Sequence, residues 1–230
     1  MLLRERLLAQ AKGFSSSKVQ FVVVDDSAGA DPETARLNSF PDVSVLTPPF
    51  HLGHQGAIVY GLRTHSKDIR DDDILVTLDS DGEDRPEDLP RLLRPIHGAP
   101  NRVALAYRTK RGDSVVFKAF YFFFKVFFRI CTGLSYRTGN YAAYAGAALR
   151  RNIFHPYFNW SYSSALLALD LDIIHVPCAR GSRYFGRSKM KPLQLVHHGL
   201  RLLMPFRERI ALRALVALTV LFVVLSVKSH

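Results

Sequence analysis

Residues 74–84 read ILVTLDSDGED, and this stretch decides the fold of the 230-residue chain. Its first five residues form a short apolar run, which stops at Asp79-Ser80-Asp81. A run of this kind that delivers acids to a loop is typical of a strand buried in a parallel sheet. The sequence therefore predicts that Asp79 and Asp81 lie at the carboxyl end of a strand, where the ligands of α/β sheets gather.

The same pattern occurs on either side of this stretch. Val19–Val24 is a second β-branched run, and it ends at Asp25-Asp26. Further patterns alternate up to residue 110, with strands at 43–46 and 103–107 and helices at 53–65 and 86–93. Strands that alternate with helices predict an α/β fold with a mostly parallel sheet and helices on both faces. Both pairs of acids should then lie at the same end of the sheet.

Hard oxygen ligands are dense directly after the central strand. Six acids lie within ten residues, namely Asp79, Asp81, Glu83, Asp84, Glu87 and Asp88. Such ligands suit Mg²⁺ or Mn²⁺ that holds a diphosphate. A solvated acidic loop is the alternative, and Glu87 and Asp88 are explained as acids that complement a helix dipole. The position after the strand and the i, i+2 spacing assign the metal site to Asp79 and Asp81.

The formal net charge of +11 is unevenly distributed. The first 100 residues hold 11 Lys and Arg against 16 Asp and Glu, whereas the rest of the chain holds 20 against 4. In the basic part the cations lie among apolar runs, which favours a membrane surface and disfavours nucleic acid as a partner. The two cysteines, Cys131 and Cys178, are too few for a disulfide framework or a zinc site.

Two segments of the basic part predict contact with a membrane. Val115–Cys131 combines eight aromatic residues with spaced cations, so residues 114–133 are expected to form an interfacial helix, with a core helix as the alternative. Ala214–Val227 is an uncharged run of fourteen residues, which falls short of the roughly 20 that a span needs. We expect one domain over residues 1–192, followed over 193–230 by a juxtamembrane amphipathic helix and a partial transmembrane segment.

Several motifs occur in an order that resembles a known family. They are VVVDDSAGAD, LDSDGEDRPEDL, a strand that ends in YRTKR, an aromatic helix that closes with CTG, TGNYAAY and RGSRYFGRSKM. This order resembles the family 2 glycosyltransferases of the GT-A fold, in particular dolichyl-phosphate mannose synthase and the bacterial polyisoprenyl-phosphate glycosyltransferases. The resemblance covers about residues 19 to 215, and it implies an inverting hexosyltransferase that uses a UDP- or GDP-sugar.

The resemblance also implies roles for single acids. Asp25 and Asp26 would lie near the nucleotide, Asp79 would contact the nucleotide or the metal, and Asp81 would ligate the metal. Asp79 and Asp81 would thus be both catalytic and donor-binding.

A loop near the end of the resembling region would close over the phosphates. The resemblance assigns it to Arg183, Gly186, Ser188 and Lys189, with Arg183 and Lys189 as catalytic cations and Ser188 as a donor-binding hydroxyl. The residue types agree with this role, because two cations of different shape and a hydroxyl can all bind phosphate, and glycine allows close approach of the backbone. Ordinary surface charge is the alternative for the two cations.

The acceptor half of the predicted site contains no carboxylate. Between Ser114 and Leu169 there is no Asp or Glu, although transfer to a neutral hydroxyl normally needs a general base. A lipid phosphate needs only cations to position it, and the candidates are Arg108, Lys110, Arg111 and Arg129. The absence of a carboxylate therefore agrees with a polyprenyl phosphate acceptor. The resemblance implies that this acceptor is met at the cytoplasmic face of a membrane, in the first place the bacterial plasma membrane. His155 remains an alternative base, which would suit a hydroxyl of a polysaccharide or protein.

Two departures from the family pattern bear on activity. Family members usually begin with a strand that carries a Pro and an Asn-Glu pair, and this chain starts within the helix that follows, so we expect the first strand to be missing. Members of the resembling branch often continue into two transmembrane helices, and this chain ends within or just after the first. An inactive, membrane-bound remnant is therefore the alternative function, and association into a homo-oligomer is left open.

Overall fold

The computed structural model describes residues 2–14, 18–108, 115–184 and 192–228. The chain divides into two compact units, the first of residues 1–111 and 138–189 and the second of residues 112–137 and 190–230. The helix predicted at 114–133 thus falls in the second unit, whereas the sequence places it within the first domain. The division at residue 192 into a transferase domain and a membrane segment stays a prediction.

The described strands all belong to the first unit. They are β1 (Phe21–Val24), β2 (Val43–Leu46), β3 (Ile74–Thr77), β4 (Arg102–Arg108), β5 (Ala142–Ala145) and β6 (Asp172–Cys178). β1 and β2 form a parallel pair, and the other four form a second sheet in the order β3-β5-β4-β6. Within this second sheet, β4 and β6 are parallel, and β5 runs antiparallel to both of its neighbours. β3, β4 and β6 therefore share one direction, so their carboxyl ends meet at one end of the sheet.

The helices are α1 (Leu2–Ala11), α2 (Pro32–Ala35), α3 (His54–Thr64), α4 (Leu89–Leu93), α5 (Val115–Thr132), α6 (Gly146–Asn152), α7 (Tyr162–Ala168), α8 (Pro192–Leu203) and α9 (Arg207–Lys228). A 3-10 turn at Pro86–Asp88 leads into α4, and another at Met204–Phe206 joins α8 to α9. The structure confirms that the segments predicted at 53–65, 86–93 and 114–133 are helical, although their first and last residues differ from the predicted ones.

Alternating side chains of the central strands build two apolar clusters. Ala104 and Ala106 of β4 pack in one cluster with residues of α1 and α4. Val103 and Leu105 of the same strand pack in the other cluster with residues of α3 and α7. Successive strand residues point to opposite faces, so helices cover both faces of this sheet. The predicted α/β class is confirmed. The strand arrangement differs from the expected single, mostly parallel sheet, because β1 and β2 form a separate pair and β5 runs antiparallel between β3 and β4.

The second unit is built from α5, α8 and α9. Phe128 of α5 is fully buried, and its ring lies 5.1 Å from that of Tyr136 and 5.2 Å from that of Phe206, measured between centroids. The Nε of Arg213 donates to the Ile130 carbonyl at 3.1 Å. Because the last carbonyls of a helix lack partners within it, this bond satisfies one carbonyl at the carboxyl end of α5 and attaches α9 to it.

One helical stretch in the described residues, Leu195–Lys228, is long and apolar enough to cross a membrane, and none of its apolar window is buried. Within it, α9 alone has 22 residues, or about 33 Å at 1.5 Å per residue. That length matches a hydrocarbon core of about 30 Å. The expectation that the apolar run falls short of a span is corrected, because residues 210–213 of the same helix extend it to the 18 residues 210–227, with Arg213 as the one charge.

Candidate functional site

The loop after β3 brings four carboxylates to the carboxyl end of the sheet. The side chains of Asp79 and Asp81 are 18% and 31% exposed, whereas those of Glu83 and Asp84 are 6% and 8% exposed. The backbone N–H of Asp79 donates to Asp84 at 2.9 Å, and that of Glu83 donates to Asp81 at 2.9 Å. Burial and the neighbouring Asp79 raise the pKa of Asp84 to about 6. The two acids singled out from the sequence are therefore the accessible ones.

Glu83 pairs with three arginines, which lie at the end of one strand and in the loop after another. Its carboxylate lies 2.8 Å from Arg108 at the end of β4, and 2.7 Å and 2.6 Å from Arg180 and Arg183 after β6. Burial alone would raise the pKa of Glu83, but the guanidinium groups outweigh it and lower the pKa to about 2. Arg183 also pairs with Asp81 at 3.2 Å. The predicted catalytic cation Arg183 thus lies directly beside a predicted metal ligand.

Two glycines allow the backbones of the loops after β3 and β6 to approach each other closely. Gly82 has φ +92°, and a Cβ atom at Gly181 would lie 2.2 Å from the Gly82 carbonyl oxygen. Backbone N–H groups of Gly181 and Tyr184 donate to the carbonyls of Glu83 and Asp81 at 2.9 Å and 2.8 Å. Because a side chain at either glycine would separate the loops, both positions require glycine. The acids and the arginines are consequently held on one connected backbone.

A cavity of about 270 Å³ opens beside these loops, and its lining contains three arginines and no acid. It is lined by Arg6, Gly82, Arg85, Arg180, Gly181, Ser182 and Tyr184. Arg6 and Arg85 both pair with the single carboxylate of Glu87, and Arg6 also donates to the Tyr184 hydroxyl at 2.9 Å. Two guanidinium groups that share one carboxylate leave an excess of positive charge. The cavity therefore suits an anionic group such as a phosphate.

On its other side, Asp79 contacts an imidazole and an amide. The Nε2 of His54, the first residue of α3, lies 3.1 Å from Asp79 Oδ1, and this contact raises the pKa of His54. The Nδ2 of Asn140 lies 3.4 Å from the same oxygen and also contacts His54 Nε2. Sequence reasoning missed both residues, as it missed Arg180. The only signal for Asn140 was its position inside the motif TGNYAAY, which carried no assigned role.

Asp25 and Asp26 fix the loop after β1. Asp25 is buried and accepts hydrogen bonds from the Ser27 N–H and the Thr34 hydroxyl, both at 3.0 Å. The Ser27 hydroxyl, together with these two donors, lowers the pKa of Asp25. Asp26 accepts from the Leu52 N–H at 2.7 Å. The role of these two acids in binding the nucleotide stays a prediction.

Several predicted residues fall elsewhere. Gly186, Ser188 and Lys189 of the predicted phosphate loop, and Lys110 and Arg111 of the predicted acceptor site, lie outside the described residues. Arg129 is an exposed residue of α5 in the second unit. Arg108, also predicted to bind the acceptor phosphate, is paired with Glu83.

The alternative base His155 has a local structural role. Its Nδ1 accepts from the Tyr157 N–H at 3.3 Å, at the start of a 3-10 turn, and its ring lies 4.2 Å from that of Tyr157. The described contacts therefore agree with a capping histidine.

The residues present fit a hard divalent cation. No group of three or more His, Cys, Asp or Glu side chains in the described ranges is arranged to hold a metal ion. However, Mg²⁺ usually binds through one or two carboxylates together with waters and substrate phosphates, and seldom uses a cage made only of protein ligands. Two accessible carboxylates at i, i+2, beside arginines that can bind phosphate, meet that requirement.

Comparison with known proteins agrees with this geometry. No curated protein matches the sequence. The family described as "Glycosyl transferase family 2" matches residues 3–158, a range that includes the acidic loop after β3 and Asn140. Members of this family are inverting glycosyltransferases that use a nucleotide-sugar donor and an acceptor, and they often use divalent metal ions. The match covers more than half of the chain, and the chain therefore belongs to glycosyl transferase family 2.

Proposed function

We propose that this chain transfers a hexose, with inversion, from a UDP- or GDP-sugar to a polyprenyl phosphate at the cytoplasmic face of a membrane. The observation that carries the proposal is the contact between Arg183 and Asp81, at 3.2 Å, next to the accessible Asp79. It brings a cation that can bind phosphate to a carboxylate that can bind a metal ion. A nucleotide diphosphate with its divalent cation has the complementary charges.

The donor half of the site follows from these charges. Asp79 and Asp81 would hold Mg²⁺ or Mn²⁺, which when bound offsets the charge of the departing nucleoside diphosphate. Arg183 is kept beside that position by Glu83, at 2.6 Å, so its guanidinium can bind the diphosphate without a large rearrangement. The predicted Ser188 and Lys189 would complete the phosphate contacts, and Asp25 and Asp26 would face the nucleoside.

A phosphate acceptor agrees with the charges and with the lack of a base. An ionised phosphate can attack without losing a proton, whereas a hydroxyl needs a base, and His155 is engaged in capping a turn. Cations are plentiful, because Arg6, Arg85 and Arg180 line the cavity beside the acidic loop. Together with the predicted Arg108, Lys110 and Arg111, they could position the phosphate of a lipid. Arg129 of the second unit stays a predicted acceptor contact.

The exposed apolar faces of the second unit support a membrane surface as a partner. On α5, large side chains are exposed at positions that share one face, namely Phe122, Phe123, Val126, Phe127 and Ile130. The opposite face of this helix contributes the buried Phe128. On α9 the large apolar side chains from Leu212 to Val227 are exposed. Contiguous apolar surface of this extent marks a site of interaction with protein or membrane, and cations such as Lys125 and Arg129 suit anionic headgroups.

We expect calorimetric titration of the chain to show binding of UDP or GDP that becomes stronger with Mn²⁺. Labelled sugar should then be transferred to a short polyprenyl phosphate, and the matched polyprenol, which lacks only the phosphate, should remain unlabelled. Absence of any nucleotide binding in the presence of Mn²⁺ would favour the inactive remnant. Transfer to polyprenol or to a polysaccharide would contradict the phosphate acceptor.

Flotation with anionic liposomes tests the membrane surface. The wild-type chain should float, and the double variant Leu218→Arg, Phe222→Arg in the middle of α9 should float several-fold less, because each Arg at the centre of a span costs about 3 kcal/mol. The matched control is Phe50→Arg, Phe154→Arg, which places the same charges at exposed phenylalanines of the first unit. A wild-type chain that stays in the soluble fraction would contradict the membrane assignment.

A further inference from the structure

A directed series of hydrogen bonds leads from α7 to Asp79. It begins at Gln55 of α3, whose Oε1 lies 3.0 Å from the backbone N of Ser163 and 3.1 Å from the hydroxyl of Ser161. A backbone N–H can only donate, so the amide atom that faces Ser163 must be the oxygen. The orientation of an amide side chain is decided by such partners. The Gln55 amide therefore has one orientation, and its nitrogen points away from α7.

This orientation fixes the next amide in the series. Gln55 Nε2 lies 2.6 Å from Asn140 Oδ1, and because Nε2 can only donate, the Asn140 oxygen must accept. Asn140 Nδ2 is then turned towards His54 Nε2, which is its closest contact, and towards Asp79 Oδ1 at 3.4 Å. The Asn140 backbone is held as well, since its carbonyl accepts from the Thr77 hydroxyl at 2.7 Å and that hydroxyl lies 2.6 Å from the buried Tyr162 hydroxyl. Asn140 thus presents a donor, and not an acceptor, to Asp79.

We propose that Gln55 is a positioning residue, which orients Asn140 so that its amide donates to Asp79 and keeps that carboxylate directed for a divalent cation. The inference rests on the proposed function, because it takes Asp79 as a metal ligand. Asp81, the other predicted ligand, is held independently by the Glu83 N–H and by Arg183. Each ligand therefore has its own support, and Gln55 belongs to the support of Asp79.

The variant Gln55→Glu reverses the series with almost no change of shape. A carboxylate at residue 55 can still accept from Ser161 and Ser163, but it cannot donate to Asn140. The Asn140 amide would then turn to donate to residue 55 and present its oxygen to Asp79, which repels the carboxylate. We expect the affinity for Mn²⁺, measured by the paramagnetic resonance of free Mn²⁺ in the presence of UDP or GDP, to fall roughly tenfold or more, as for other partners of metal ligands.

The direction of this change separates positioning from other effects. An added negative charge acting only through its field would strengthen Mn²⁺ binding, and a purely structural role would lower the melting temperature while leaving the Mn²⁺ affinity of the folded protein unchanged. The reaction rate of Gln55→Glu should recover in excess Mn²⁺. Gln20→Glu is the matched control, because it makes the same change at an exposed residue before β1, and its Mn²⁺ affinity should equal that of the wild type.

A second variant keeps the test decisive if Gln55→Glu does not fold. Gln55→Met has a similar length and no charge, breaks the same series, and should also weaken Mn²⁺ binding. Unchanged or stronger Mn²⁺ binding by the folded variants, with a wild type that binds Mn²⁺, would overturn this inference and leave the proposed function intact. A wild-type chain that binds neither Mn²⁺ nor nucleotide would overturn the proposed function, and this inference with it.

Discussion

Asp81→Asn should lower the rate of sugar transfer by roughly 10³-fold, which corresponds to about 4 kcal/mol of transition-state stabilisation lost with the metal contact. Asparagine has nearly the same shape as aspartate, and its carbonyl oxygen can still accept from the Glu83 N–H, which lies 2.9 Å from Asp81 Oδ1. The variant loses the negative charge that faces Arg183 and the proposed cation. We therefore expect the melting temperature to change little, while the affinity for Mn²⁺ and the rate both fall.

The matched control for this variant is Asp72→Asn. Asp72 belongs to the run Asp71-Asp72-Asp73 before β3, at the amino end of the sheet, and its side chain is 81% exposed. Asp71 and Asp72 are exposed residues of a turn, where Asp72 pairs with Arg70 at 3.7 Å. The rate of sugar transfer by Asp72→Asn should equal that of the wild type. If Asp81→Asn kept wild-type activity, the metal site would be assigned to the wrong residues. If EDTA left the wild-type rate unchanged, the proposed requirement for a metal ion would be wrong.

The sequence predicted the strands whose own residues form an apolar run. β1, β2, β3 and β4 are apolar runs, and each lies within two residues of its predicted position. β5 has the sequence Ala-Ala-Tyr-Ala, and alanine has a low preference for strands. Its strand conformation comes from its place between β3 and β4, where all four residues are buried. A pairing of this kind depends on distant partners, so neither the strand nor its reversed direction could be predicted from the sequence.

β6 was missed for a different reason. Its sequence, Asp172–Cys178, includes Pro177, and proline argues against a central strand because it cannot donate a ladder hydrogen bond. The strand lies at the end of the order β3-β5-β4-β6 and pairs only with β4 among the described strands. Proline is tolerated at such an edge. The loop after β6 nevertheless supplies Arg180 and Arg183, so a strand with a weak signal positions part of the site.

The candidate site could be predicted where residues of a suitable type directly follow a recognisable strand. Asp79 and Asp81 follow a clear strand at i, i+2, and the structure leaves both accessible. The pairing of Glu83 with three arginines could not be predicted. These arginines lie between residues 108 and 183, and they meet Glu83 only in the folded chain. His54, Gln55 and Asn140 carry no distinctive spacing. Their contribution depends on the directions of single hydrogen bonds, which a sequence does not contain.

Glu83→Gln should strongly lower the free energy of unfolding of the first unit. The side chain is 6% exposed and pairs with Arg108, Arg180 and Arg183, and removal of one partner from a buried ion pair costs about 3–5 kcal/mol because charge is left uncompensated. Glutamine keeps the shape of the side chain but cannot neutralise the guanidinium groups. Urea unfolding monitored by circular dichroism at pH 7 measures the free energy of unfolding of the variant and the wild type.

The pH dependence distinguishes lost charge from lost packing. In the folded chain the arginines lower the pKa of Glu83 to about 2, from an ordinary value of 4.5. Between these values the unfolded chain binds a proton that the folded chain does not, so stability rises with pH in this window. The difference between wild type and Glu83→Gln should therefore be constant above about pH 5.5 and shrink from pH 4.5 towards pH 2. A difference that stayed constant down to pH 2.5 would indicate lost packing instead.

The matched variant Glu87→Gln makes the same chemical change four residues further along the chain. Glu87 also pairs with two arginines, Arg6 and Arg85, but its side chain is 38% exposed. Exposed ion pairs contribute about 0–1 kcal/mol, so this variant should lose at most a third of what Glu83→Gln loses. Equal losses would mean that burial of the carboxylate does not set the strength of the cluster. A larger loss for Glu83→Gln would mean that one buried carboxylate joins the loops after β3, β4 and β6. The proposed donor site depends on that connection.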